Sequence, residues 1–128
     1  MNVSNWFFRL GVLAVLIGMS LGVWMGKEQN FTLSPVHAHL NLLGYVSMFL
    51  YGFFYRSFPG TGTGLLAKLH FACAVLGVLL MIPSLAMMLL EDLRFVPVLL
   101  AGEGFAVVGM LIFAVIVFRA TGSKTAAA

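Results

Sequence analysis

Long apolar runs alternate with short polar breaks along the chain. Residues 6–25, 35–58, 65–90 and 95–118 form four apolar stretches, each of roughly 20 to 25 residues and so long enough to cross a ~30 Å hydrocarbon core. The breaks "GKEQNFTLSP", "PGTGTG" and "EDLRFVP" carry the glycine, proline and charge expected of turns. A backbone in lipid must satisfy its own hydrogen bonds, so the stretches are expected to be helices. The pattern predicts an all-α, integral membrane bundle of four transmembrane helices, with residues 1–128 as a single domain. Only short loops and the tail "RATGSKTAAA" remain outside it. The first stretch is read as a retained helix, because "VWMGKEQ" after it lacks the small-x-small pattern of a cleaved signal. In "TLSPV", Ser34 is expected to cap the second helix, with Pro35 in its first turn. Pro83 is expected to kink the third helix. Gly11, Gly18 and Gly22 in the first helix, and Gly102 and Gly109 in the fourth, suit close packing between helices.

Composition agrees with a membrane protein: 62% of the 128 residues are hydrophobic and 9% charged, far from a soluble domain. The net charge of +3 does not mark a nucleic-acid surface, because the basic residues stand singly at helix ends and form no patch. Their placement reads as topology. Arg9, Arg56, Lys68, Arg119 and Lys124 share their segments with no acid, whereas Lys27, Glu28, Glu91, Asp92 and Arg94 mix the two signs. By the positive-inside rule the N- and C-termini and the middle loop are cytoplasmic; the expected location is the inner (cytoplasmic) membrane of a bacterium, crossed several times, with lipid as the surrounding partner. The single cysteine, Cys73, excludes an intrachain disulfide.

The chemistry concentrates in "LSPVHAHLNLLGYVSMFLYGFFYR". On a helix, positions i and i+2 point about 200° apart and differ by only ~3 Å in height. His37 and His39 therefore leave opposite flanks at one depth, near the outer face, and one metal ion cannot easily take both. The His37 flank continues through Asn41, Gly44, Met48, Gly52 and Tyr55, and the His39 flank through Leu43, Val46 and Leu50. Gly44 and Gly52 admit either a flat ligand or another helix. Two readings stay open: interfacial histidines bonded to loop carbonyls, or ligands of a metal or haem iron.

The same residues resemble a known family. "VHAHLNLLGYVSMFLYGFFYRSFPGTG" is similar to the tenth transmembrane helix of the catalytic subunit of haem-copper oxidases, and "LAKLHFACAVLGVLLMIP" to the helix that follows it. Arg94 then falls close to where that family places arginines that bind haem propionates. The resemblance spans residues 35–94. It implies a free-standing unit like one of the family's groups of four helices, three of which make a ring; a homotrimer would rebuild it. It implies haem b held by His37 of one subunit and His39 of its neighbour, with Asn41, Gly44 and Met48 along the cofactor and Arg94, or in its place Lys27, at the propionates. The implied function is electron transfer in a respiratory chain, with an electron-transfer partner.

The family's copper site is missing, because it needs three further histidines and the chain has only His37, His39 and His70. No complete oxygen-reducing site is expected in one chain, which argues against a stand-alone enzyme. His70 begins the third helix near the opposite face and is expected to make a helix-end hydrogen bond, with proton handling as the alternative. Glu103 is the one acid within a span; it is expected either to handle protons or bond a ligand histidine, or else to snorkel or bond a neighbouring helix. The eight methionines, with Met81, Met87 and Met88 the nearest to a cluster, suit apolar filling better than copper. The alternatives to a cytochrome are a haem-free assembly or structural subunit of a respiratory complex and a metal-ion binding or transport protein.

Overall fold

The computed structural model describes residues 2–122; Lys124, assigned above to the cytoplasmic tail, lies outside the described residues. The chain is all-helical. Helix α1 (Val3–Glu28) is capped by Asn2, whose side chain accepts from the Ser4 N–H at 2.9 Å. It ends where Gln29 turns left-handed at φ 54° and returns its N–H to Met25 O. A second helix follows in three parts: α2 (Ser34–His39), a π-helical stretch (Leu40–Val46) and α3 (Ser47–Ser57). The backbone stays right-handed helical across both joints, so the three parts form one rod. Helix α4 (Leu65–Leu89) runs through Pro83, and a single 3-10 turn (Leu93–Phe95) leads into α5 (Val96–Thr121).

Among the described residues, three helices are long and apolar enough to cross a membrane: Val3–Glu28, Leu65–Leu89 and Leu93–Thr121. Length and composition thus suggest a helical membrane protein. Two details depart from the sequence expectation. Ser34 does not cap the second helix; Leu33 occupies the cap position without a side-chain bond, and the Ser34 hydroxyl lies 4.0 Å from Met25 Sδ. The second span is also not uniformly α, since the Ser47 N–H reaches back to Leu42 O across the π stretch.

The helices pack as two hairpins, α1 along the second helix and α4 along α5. The α4–α5 seam is a backbone contact: a Cβ on Gly102 would sit 2.7 Å from Met81 N, and one on Gly77 would sit 3.0 Å from Ala106 N. One core cluster, including Phe7, Tyr51, Tyr55, Ala67 and Ile116, joins the hairpins toward the end where α1 begins. Another, of Val36, Met81, Leu85 and Leu99, joins them toward the other end. The first end is also tied by polar contacts. Arg56 Nε donates to Ser4 Oγ at 3.3 Å, Ser4 Oγ donates to Gly52 O at 3.0 Å, and the Val3 N–H donates to Gly62 O at 3.1 Å. The "PGTGTG" turn beside it needs Gly60, which takes φ 96°.

Candidate functional site

His37 leaves α2 toward α1. Its Nδ1 lies 2.8 Å from Gly18 O, and a carbonyl can only accept, so Nδ1 carries the proton and the neutral ring keeps its lone pair on Nε2. The Asn41 amide nitrogen, one turn on, packs against the same ring, 3.3 Å from Nε2 and 3.5 Å from Nδ1. The glycines of α1 make room for both side chains. A Cβ on Gly22 would come within 2.8 Å of His37 Cε1, and one on Gly18 would collide with Asn41 Oδ1. His37 and Asn41 are four residues apart and so are Gly18 and Gly22, the spacing that stacks residues on one face of each helix. The second helix thus sets its polar stripe into a glycine channel on α1. Asn41 Oδ1 is buried there with no hydrogen-bond partner among the described residues.

His39 leaves the other flank. Its Nδ1 is 2.7 Å from Pro35 O, one turn back, so by the same reasoning its Nε2 is the basic nitrogen. The side chain is exposed and lines an open groove of about 430 Å³ with Leu43, Met81, Glu103, Ala106, Val107 and Met110. The expected divergence of the pair is what the packing shows: His37 rests on α1, and His39 faces the α4–α5 hairpin.

The rest of the His37 flank is filled by protein. A Cβ on Gly44 would lie 2.9 Å from Ala14 Cβ, and one on Gly52 would lie 2.8 Å from Phe8. Met48 is 3% exposed in the core. Of the two occupants that the glycines admitted, the structure places a helix there, and Asn41, Gly44 and Met48 line the α1 contact. Arg94 lies at the same end as the histidines but already has a partner, Asp92, with Nη2 to Oδ2 at 2.7 Å. The hydrogen bond from Arg94 holds the Asp92 carboxyl down at about 2. Lys27 closes α1 at that end.

His70 makes the hydrogen bond expected of it near the start of α4, but deep in the core. It sits in the second turn of α4, 0% exposed, because aromatic rings from three other segments enclose it. Its Nδ1 is 2.7 Å from Tyr55 Oη, and its ring packs edge-to-face with Tyr51 at 4.4 Å, stacks on Phe113 at 4.9 Å and touches Phe7 at 5.2 Å. Nε2 is buried without a hydrogen-bond partner. Sequence reasoning named the histidine and missed its cage; the available signal was the Tyr51/Tyr55 pair at i, i+4, which places two rings on one helix face. His70 belongs to the core cluster of the opposite end and shares no site with the pair.

Glu103 is exposed on α5 and lines the His39 groove. The one ion pair among the described residues is Arg94–Asp92, so Glu103 enters none. No group of three or more His, Cys, Asp or Glu side chains among the described residues could hold a metal ion. A flat group such as haem asks for something else, one or two imidazole ligands beside an apolar wall. His39 fits that requirement: a fixed ring, a free Nε2 and an apolar wall of Leu43, Ala106, Val107 and Met110.

Compared with models of known protein families, the chain matches none, and it matches no curated protein and no solved structure.

Proposed function

We propose that the chain is a membrane b-type haem protein for electron transfer, with axial imidazoles from the His37/His39 pair shared between subunits. One observation carries the proposal. Both rings give Nδ1–H to a backbone carbonyl, Gly18 O for His37 and Pro35 O for His39, and this outer-shell bond is the one that orients an iron- or zinc-binding imidazole and raises the basicity of its Nε2. Bound haem would supply one-electron chemistry at iron, and two protein ligands leave it no open position for oxygen. The chain's own part is to fix ring orientation, keep water out with Leu43, Met81, Val107 and Met110, and present the group near one membrane face.

The resemblance to haem-copper oxidase catalytic subunits supports the same function and adds the arrangement. In that arrangement three copies would form a ring in which His37 of one faces His39 of the next, with Arg94 at the propionates. The charge pattern supports an inner bacterial membrane with both termini cytoplasmic, which puts the histidine end outside. An electron-transfer partner then docks at that outer face.

The test is spectroscopic. Protein purified in detergent from haem-supplemented cells is expected to show a reduced low-spin α band. Protein that carries no haem, and takes up none on titration with haemin, removes the proposal in favour of a haem-free structural subunit.

A further inference from the structure

We infer that the haem-binding unit is a two-fold dimer in which His39 of one copy faces His39 of a second copy, with His37 a positioning residue instead of a ligand. The inference rests on the haem proposal and departs from its ring. It begins with the unequal surroundings of the two rings. The Asn41 amide nitrogen packs against the His37 ring, 3.3 Å from Nε2 and 3.5 Å from Nδ1, and the ring lies on Gly22 inside the α1 contact. An iron at Nε2 would have to displace Asn41 and part α1 from α2. The Nε2 of His39 meets no such obstacle, since the ring is exposed and opens on the groove.

The groove is also half of a site. It offers one imidazole, and no second one within the chain can reach it: His37 is turned to the other flank, and His70 is 0% exposed in the opposite cluster. A bis-histidine haem there needs an imidazole from outside the chain. The outward-facing histidine of this chain is His39 itself, so a second copy supplies the missing ligand with the same residue. An interface that pairs a residue with its own copy is isologous and closes at two subunits, the commonest symmetry of soluble oligomers. The polar content of the groove points the same way. Glu103 and His39 stand on a face otherwise made of Leu43, Val107 and Met110, and ionisable groups within membrane spans almost always face protein or water in preference to lipid. A second copy covers both groups and doubles the apolar wall.

His37 then fastens α1 to the second helix through Gly18 O and backs the turn that carries His39. Asparagine at 37 places an amide N–H close to the position of Nδ1, so His37→Asn retains that donor and removes the imidazole.

Haemin is titrated into the full chain in detergent, followed by visible spectra, haem-to-protein ratio and native mass. The inference expects one haem per two chains, a mass of two chains plus one haem, loss of the low-spin spectrum in His39→Ala and its retention in His37→Asn. A separate readout needs no haem: in a Cys73→Ala background, Val107→Cys should give a covalent dimer with a short bis-maleimide, because groove residues meet their own copies near a two-fold axis. Wild-type protein that binds haem while a helical, folded His37→Asn variant loses the low-spin band overturns the dimer and leaves the ring standing. So does a three-chain mass with one haem per chain, or a Val107→Cys variant that stays monomeric under the cross-linker. Wild-type protein that binds no haem overturns both proposals.

Discussion

Two glycines, two residues apart on α5, make a controlled experiment on how this bundle is held. Gly102 faces α4 so closely that a Cβ would stand 2.7 Å from Met81 N, 3.0 Å from Met81 Cα and 3.1 Å from Gly77 O. All three are backbone atoms, which cannot swing away as a side chain can. Restoring ordinary contact, from 2.7 Å to 3.4 Å, requires α4 and α5 to give way at a seam whose packing tolerates little change in volume. Overpacking of this kind costs about 1–3 kcal/mol. A Cβ on Gly104 meets nothing within 4 Å, so alanine there adds helix propensity, worth up to about 1 kcal/mol in water, with no clash. Gly102→Ala is expected to destabilise by about 1–3 kcal/mol and Gly104→Ala to be neutral or stabilising, in reversible unfolding followed by circular dichroism in mixed micelles. Because Met81 walls the His39 groove, Gly102→Ala should also weaken haemin uptake. Equal effects of the two substitutions would refute the backbone-contact account of the seam.

Tyr55→Phe leaves the buried Nδ1 of His70 without its 2.7 Å partner and should cost about 1–3 kcal/mol, whereas the double variant Tyr55→Phe/His70→Phe should recover much of that loss in the same unfolding assay. Asp92 is held at about 2 against its ordinary 3.8 by Arg94, so the pair's contribution is complete above the ordinary value and disappears as the pH falls through about 2. Arg94→Ala should return the carboxyl toward 3.8, measured by NMR titration of a labelled aspartate. A reporter fused after the tail containing Lys124 should be active only if it is one that works in the cytoplasm; periplasmic alkaline phosphatase activity at that junction would reverse the orientation drawn from the charge pattern.

The helix boundaries show what could be read in advance. The apolar stretches at 6–25 and 95–118 located α1 and α5 but fell short of Val3–Glu28 and Val96–Thr121. Apolar length reports the lipid core, while the ends of a helix depend on caps such as Asn2 and Gln29, which hydropathy does not weigh. The stretch at 65–90 nearly coincided with Leu65–Leu89 because Gly64 and the Glu91 turn punctuate it at the apolar limits. At the site, the divergence of His37 and His39 was legible, since it follows from 100° per residue. Which flank α1 would occupy was not, because that depends on the pairing of helices. Gly18 and Gly22 were legible as packing residues, but their role as the seat of Asn41 and His37 emerges only once α1 is laid against α2. His70 was legible as a hydrogen-bonded group near the start of α4 but not as a caged one, for the same reason: the aromatic rings that bury it come from α1, α3 and α5.

The π stretch Leu40–Val46 sits between the histidine turn and the part of the helix gripped by α1 at Met48, Gly52 and Tyr55. A π turn winds less per residue than an α turn, so the heading of His39 is set by accumulated winding as much as by its place in the sequence. Removing a single residue from this stretch, even an outward one such as Leu42, would tighten it toward α geometry. The head of the helix would then rotate relative to its anchored body by up to about 100°. His39 would be carried off the groove and His37 out of its glycine seat without either residue changing. The segment acts as the angular index of the histidines, and its length sets the heading of both rings as much as their place in the sequence does.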